Sequence, residues 1–263
     1  MTAARSSLAV LAMAATCVGI VRAVGCSAPL DCARTLTWPM LATSLAALAT
    51  ILAVAWALRS SWLLAKAARA VGALRMESGP ESLHALARQL GADRPRYVAT
   101  TANVAFCAGA LRPRVYISHG LATSASADAL SAIIAHEDHH RRGHHPLRRA
   151  GRRALSDVLF VAPVLRWWSE RRIEHEELSA DAAALRHVPC SVLADALLVA
   201  GGDLRPAAAA AFDGALEHRV AHLLGEPTAR RRCPLGLQLL SAAGTTGLLA
   251  LTVCVGEMIG LVR

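Results

Sequence analysis

The segment Ala135-His136-Glu137-Asp138-His139-His140 contains the pattern His-Glu-x-x-His. Positions i and i+4 of an α-helix lie one above the other, so His136 and His140 can direct two imidazoles towards one metal ion, with Glu137 beside them. Zinc-dependent peptide hydrolysis needs such a set, because zinc activates a water and a nearby carboxylate accepts its proton. We therefore predict that His136 and His140 bind one Zn²⁺ per chain and that Glu137 is the catalytic base.

Local signals predict a well-defined helix around this motif. Ser126 is placed to cap its N-terminus, Asp128 falls in its first turn, and Gly143 provides a stop. Three further histidines crowd the same tract: His139, His144 and His145. A solvated histidine cluster or an adventitious metal site is therefore the alternative interpretation until a third ligand is identified.

The composition indicates a membrane protein. Hydrophobic residues make up 54% of the 263 residues, which is too apolar for an ordinary soluble domain. The net charge of +9 would suit a nucleic-acid partner, but the arginines are not set among the aromatic and glycine positions of an RNA-binding surface, so we expect no direct nucleic-acid binding. The seven cysteines show no paired metal-ligand spacing, and only Cys26 and Cys32 flank a short segment in which a disulfide loop is conceivable.

Three apolar runs indicate about three transmembrane helices. Residues 7–25 and 39–58 predict an N-terminal transmembrane hairpin within residues 1–58, although a cleaved signal peptide is the alternative for the first run. Residues 234–263 contain a third apolar run and predict a C-terminal transmembrane helix.

The basic residues indicate the orientation of these helices. Of the 28 Lys and Arg residues, the following four lie outside residues 59–233: Arg5, Arg22, Arg34 and Arg263. Because cytoplasmic segments carry an excess of Lys and Arg, we expect residues 59–233 to form a cytoplasmic domain that holds the active site. The Ala-rich, Arg-over-Lys composition is typical of a GC-rich bacterial genome, so the expected location is the bacterial inner membrane, with several passes through the lipid bilayer.

The first half of this domain predicts a short helix and a small sheet. Residues 81–91 are typical of an amphipathic helix, and residues 97–101, 104–107 and 114–118 are typical of short strands. An edge strand beside a peptidase site can align an extended substrate by main-chain pairing, and our candidate consists of Val104, Ala105, Phe106 and Cys107. A strand that merely completes the sheet is the alternative interpretation.

The second half predicts a segment at the membrane and a further helix. Ala154–Trp168 is apolar but interrupted, and we expect it to be re-entrant, turning at Pro163, or to lie along the interface. The next helix is predicted to begin at Ser169. It carries Glu177 and Asp181 on one face, and two like charges there require a metal ion or an arginine opposite them. The expected fold is thus a mainly α membrane protein with a cytoplasmic α+β, zincin-like metallopeptidase domain.

Three segments in this order resemble the BlaR/MecR family of membrane zinc metallopeptidases: Arg112–Ser118, His136–Leu147 and Glu177–Asp181. The resemblance, which extends to the related HtpX-type proteases, implies that Glu177 is the third zinc ligand and that Asp181 supports the site. Two alternatives to Glu177 are Glu174 and Glu176. A metzincin pattern would instead require a histidine at position 146, which is Pro146.

The resemblance also implies a substrate. Family members cut a cytoplasmic DNA-binding repressor of the BlaI/MecI type, so we expect regulated proteolysis of such a protein or peptide substrate. The β-lactam sensor of the family needs a Ser-x-x-Lys motif, but Lys66 is the only lysine and residue 63 is Leu63, so we expect that sensor to be missing. Two alternatives are an HtpX-like quality-control protease and a catalytically silent membrane signalling protein.

Overall fold

The computed structural model describes residues 38–201, residue 219 and residues 232–261. Two predicted features lie outside the described residues: the membrane span at 7–25 and the pair Cys26 and Cys32. The described part is mostly helical and has one small mixed sheet. The described residues form two compact units, one built from residues 62–150, 170–201 and 219, the other from 38–61, 151–169 and 232–261.

The first unit contains the sheet. Its four described strands are β1 (Met76–Glu77), β2 (Arg96–Val98), β3 (Ala105–Ala108) and β4 (Arg114–Ser118). Their order is β1-β2-β4-β3, and only the pairing of β2 with β4 is parallel. The three strands predicted from sequence are confirmed to within three residues at each end. The sequence did not reveal β1, because two residues are too few for an alternating pattern.

Helices cover this sheet and bury its apolar side chains. They are α2 (Glu81–Gln89), α3 (His119–Ser124), α4 (Ala127–Arg142) and, later in the chain, α7 (Cys190–Gly201). Ile117 of β4 and Ile134 of α4 are fully buried in the core. The predicted helix within residues 81–91 is α2, and the chain leaves it at Gly91, whose φ of +64° residues with a Cβ rarely adopt. The helix that carries His136 and His140 therefore lies in the best-packed part of the unit.

Two long helices follow α4 in the chain. Helix α5 spans His145–Val158 and α6 spans Val164–Ala184. The prediction that the next helix begins at Ser169 is wrong, because α6 already begins at Val164. Residues 154–168 comprise the end of α5, a turn and the start of α6, and their re-entrant or interfacial position stays a prediction. The predicted turn at Pro163 is confirmed. The carbonyl of Pro163 accepts hydrogen bonds from the backbone N–H groups of Arg166 and Trp167. The φ of proline is fixed at a value that suits the start of a helix, so α6 begins directly after Pro163.

The second unit packs the turn between α5 and α6 against two apolar helices, α1 (Trp38–Gly72) and α8 (Leu235–Leu261). The indole N–H of Trp56 in α1 donates to the carbonyl of Gly151 at 3.0 Å. On the other side, the backbone N–H of Val164 donates to the hydroxyl of Ser241 at 3.0 Å, and Gly244 lies directly against the carbonyl of Val161.

Both apolar helices are long enough to cross a bilayer. Among the described residues, Leu41–Gly72 and Leu235–Val255 are the two stretches with the length and composition of a span. None of the most apolar part of the first stretch is buried, as expected for side chains that face lipid. Helix α1 also continues well past residue 58, where the sequence suggested that the span would end. Two helices of this kind are weak evidence for membrane association, and the number of spans stays a prediction.

Candidate metal centre

Helix α4 presents His136 and His140 one turn apart on its buried face. The predicted cap is confirmed, since the Ser126 hydroxyl accepts a hydrogen bond from the backbone N–H of Ala129 at 3.1 Å. Both imidazoles are buried, with 8% and 5% of the residue exposed. The Nε2 atoms of the two rings are 3.1 Å apart. The i, i+4 spacing has therefore brought the two nitrogens to one point, as the sequence predicted.

Glu177 of α6 completes a group of three ligand atoms. Its Oε2 lies 3.4 Å from Nε2 of His136, and its Oε1 lies 3.4 Å from Nε2 of His140. Ligand atoms bound to a tetrahedral zinc ion at about 2.0–2.1 Å lie about 3.3–3.4 Å from one another. The three side chains thus fit one ion of this size, and they are the group of possible metal ligands found among the described residues.

The neighbouring glutamates on α6 pair with arginines and not with the histidines. Glu174 pairs with Arg171 on its own helix, and Glu176 accepts a hydrogen bond from Nε of Arg149 at 3.0 Å. Of the three glutamates that the sequence offered as a third ligand, Glu177 is the one that the structure brings to the histidines.

Two arginines surround Glu177 and Asp181. Nη2 of Arg149, on α5, donates to Oε1 of Glu177 at 2.6 Å. Arg219 forms a bidentate pair with Asp181 at 2.6 and 2.7 Å, and its Nη1 lies 3.5 Å from Oε2 of Glu177. Oδ1 of Asp181 also lies 3.0 Å from Nδ1 of His136, a close polar contact whose alignment falls short of a directed hydrogen bond. The like charges on this face of α6 are therefore balanced by arginines, one of the two kinds of group that the sequence required.

The electrostatics of the cluster favour a positive charge between the three ligands. Burial alone would raise the pKa of Glu177, but hydrogen bonds from His136 and His140 outweigh it and hold this pKa far below its usual range. Burial would also lower the pKa of His136, yet the contacts with Asp181 and Glu177 raise it to about 9. A divalent cation supplies the same positive charge without protonating the imidazoles, so the donor set suits a metal ion.

Glu137 is partly exposed, and no hydrogen bond or ion pair joins it to another residue in the described ranges. Helix α4, which carries Glu137, packs against β3, which carries Cys107. Burial is the main reason that the pKa of Cys107 is raised, to about 12, and the negative charge of Glu137 is the next. The candidate base is therefore near the candidate substrate strand.

The candidate substrate strand is at an edge of the described sheet. Ala105, Phe106 and Cys107 belong to β3, which pairs with β4 on one side only. Val104 lies just before the strand, where its N–H donates to the hydroxyl of Ser118 at 3.1 Å and its carbonyl accepts from the N–H of Ser118 at 3.0 Å. Among the described residues, no strand pairs with the other edge of β3, and such an edge is what main-chain recognition of a peptide requires.

Three residues of this centre were not identified from the sequence: Arg149, Arg219 and His145. Arg149 is one of several arginines in residues 148–153, and nothing local distinguishes it from its neighbours. Arg219 is 38 residues from Asp181, with no spacing rule to connect them. His145 was named only as a member of the crowded histidine tract. Its ring contacts the far side of His140 rather than the ligand cluster, with the two Nδ1 atoms 2.6 Å apart.

Comparison with known proteins agrees with this geometry. No curated protein matches the sequence. The model of peptidase family M48 matches residues 80–199, a range that contains β3, both histidines of the motif, Glu177 and Asp181. This similarity supports a metallopeptidase, and it covers the part of the chain from α2 almost to the end of α7.

Proposed function

We propose that this chain is a membrane-embedded, zinc-dependent endopeptidase. The observation that carries the proposal is the convergence of His136, His140 and Glu177, whose ligand atoms lie 3.1–3.4 Å apart in a buried cluster. The match to a peptidase family supports hydrolysis of a peptide bond. These three residues would hold one Zn²⁺, and Asp181 would support His136 from behind.

Each residue has a distinct part in the proposed reaction. The zinc ion that His136, His140 and Glu177 would hold would supply Lewis-acid chemistry: it would lower the pKa of a water to about 7 and polarise the scissile carbonyl. The Glu137 carboxylate, which is free of other partners among the described residues, would accept the proton of the attacking water and deliver it to the leaving amide nitrogen. Arg149 and Arg219 would keep Glu177 ionised and fixed in place.

The substrate would bind as an additional strand. An extended peptide that pairs with the free edge of β3 would bring its backbone close to Glu137, because Cys107 on that strand lies within the electrostatic influence of this carboxylate. Main-chain pairing gives affinity without sequence specificity. The candidate contacts are those named from the sequence, Val104, Ala105, Phe106 and Cys107.

The proposed location is the bacterial inner membrane, with several spans and a cytoplasmic active site. Helices α1 and α8 provide two candidate spans, and residues 7–25 provide a third from sequence alone. The turn between α5 and α6 packs against both helices in one unit, which supports a re-entrant or interfacial position for it. The cytoplasmic orientation rests on the concentration of basic residues in 59–233.

The proposed substrate is a cytoplasmic repressor of the BlaI/MecI type, by the resemblance described above. A quality-control protease of the HtpX type is the second candidate, and the same catalytic geometry would serve it. Profiling of cleaved proteins separates the two, because one dominant repressor substrate supports regulated proteolysis and broad cleavage of misfolded membrane proteins supports quality control.

The substitution Glu137→Gln tests the proposed chemistry. We expect the purified variant to keep one zinc ion per chain and to lose peptide cleavage, because Gln cannot accept the proton. A variant that still cleaves at the wild-type rate would contradict the assigned role. A wild-type protein with much less than one zinc ion per chain would instead favour a catalytically silent signalling protein.

A further inference from the structure

His140 has a second contact that the proposed zinc site does not explain. Its Nε2 faces His136 and Glu177, while its Nδ1 lies 2.6 Å from Nδ1 of His145. Both side chains are almost completely buried, with 5% and 6% of the residue exposed. Two ring nitrogens at this distance share one proton in a hydrogen bond, so one of them is the donor and the other the acceptor.

Metal binding determines which nitrogen donates. A neutral imidazole that binds an ion through Nε2 carries its proton on Nδ1, so His140 must be the donor. Nδ1 of His145 is then the acceptor, and the proton of His145 resides on Nε2.

The backbone after α4 is shaped to bring the ring of His145 to this place. A Cβ on Gly143 would lie 2.4 Å from Nε2 and 2.6 Å from Cδ2 of His145, so only glycine leaves room for the ring. His144 has a φ of +51°, and it is the one non-glycine residue with a positive φ in the described ranges. Strained backbone positions persist where the surrounding structure requires them. Here the strained residue His144 lies in the turn between α4 and α5, and α5 begins at the next residue, His145.

From these contacts we propose that His145 is a positioning residue for His140, fixing the tautomer and the orientation of its ring. The proposal rests on the zinc site proposed above and adds the residue that holds its second ligand. It gives the two histidine ligands unlike partners, since His136 faces the carboxylate of Asp181 and His140 faces a neutral imidazole. The proposal also accounts for one of the additional histidines near the motif, because His145 positions a ligand and is not itself one.

Two substitutions of similar size distinguish the effect of losing the hydrogen bond from the effect of losing the volume of the ring. In Asn, Oδ1 occupies the place of Nδ1 of histidine and can accept the same proton. Leu puts a methyl group there and cannot. The full-length protein in detergent is compared as wild type, His145→Asn and His145→Leu. His144→Asn is the control, because residue 144 is exposed and Asn tolerates a positive φ.

The readouts are zinc affinity, measured by competition with a chromophoric chelator, and the visible spectrum of the Co²⁺-substituted protein. Loss of the partner of a ligating histidine weakens metal binding about 10–100-fold, and we expect this loss in His145→Leu. We expect His145→Asn and His144→Asn to stay within about threefold of the wild type, since neither removes an acceptor from His140. The cobalt spectrum should change only in His145→Leu.

The outcomes distinguish this inference from the zinc site itself. A wild type that binds no zinc contradicts the proposed function and this inference with it. A wild type that binds zinc, with His145→Leu equally tight, overturns the inference alone. If His145→Leu loses its helical circular dichroism, His145→Asn is the deciding variant. Wild-type zinc affinity and a wild-type cobalt spectrum in His145→Asn support the hydrogen bond. A loss of zinc affinity of about tenfold or more in His145→Asn overturns it.

Discussion

Arg219 and Asp181 form a buried bidentate ion pair, with two hydrogen bonds of 2.6 and 2.7 Å, directly behind His136. Only 11% and 1% of the two side chains are exposed. Removing one member of such a pair leaves an uncompensated buried charge, which costs about 3–5 kcal/mol. The pair therefore connects the stability of the unit to the geometry of the candidate metal centre.

We expect Arg219→Leu to destabilise the protein by about 3 kcal/mol or more, measured by chemical denaturation of the zinc-free protein. Arg219→Leu combined with Asp181→Asn should recover part of that loss, because no isolated charge remains buried. Equal stability of the single and the double variant would show that the pair is not coupled in this way.

Arg149 holds Glu177 in place through a 2.6 Å hydrogen bond to Oε1, whereas Arg219 lies near Oε2 of the same carboxylate. We expect Arg149→Gln to lower zinc affinity about tenfold, because the carboxylate then loses a charged donor that holds it in place. Arg148→Gln is a matched control, since Arg148 is the exposed neighbour on the same helix. An equal effect of the two substitutions would mean that net charge matters and position does not.

Gly244 of α8 tests the packing of the second unit. A Cβ at this residue would lie 2.1 Å from the carbonyl oxygen of Val161, whereas a Cβ at Gly236 meets nothing within 4 Å. We expect Gly244→Ala to lower the melting temperature of the purified protein, because α8 must move away from the turn between α5 and α6. Gly236→Ala should leave it unchanged or raise it slightly, as alanine favours a helix by about 1 kcal/mol. The same result for both variants would contradict this packing.

The raised pKa of Cys107, about 12, predicts an unreactive thiol at neutral pH. Iodoacetamide at pH 8 should modify the exposed Cys190 and leave Cys107 intact, as followed by mass spectrometry of the peptides. Because the charge of Glu137 contributes to this pKa, we expect Glu137→Gln to lower it and to speed up alkylation of Cys107. An unchanged rate in Glu137→Gln would place Glu137 too far from β3 for the proposed substrate alignment.

Local sequence signals predicted one half of the metal centre and could not predict the other. The cap at Ser126 and the spacing of His136 and His140 depend on neighbouring residues, and both are confirmed. The approach of Glu177 came from a family resemblance, and the structure shows its carboxylate at the histidines. The role of Arg219 depends on tertiary packing alone, because it pairs with a residue 38 positions away.

The errors in the fold have similar causes. Helix α6 begins at Val164 and not at Ser169, because Pro163 favours the start of a helix. The sequence did not reveal this start, because the apolar residues after Pro163 are equally compatible with a helix and with an irregular segment. Strand β1 has only two residues and forms because β2 offers it a partner, a condition that no local pattern reveals.

X-ray absorption at the zinc edge of the purified wild-type protein tests the central claim most directly. The account predicts one zinc ion per chain with two imidazole ligands at about 2.0–2.1 Å and one carboxylate oxygen, and a reduced zinc content in Glu177→Ala. Much less than one zinc ion per chain, a sulfur ligand, or an unchanged site in Glu177→Ala would contradict it.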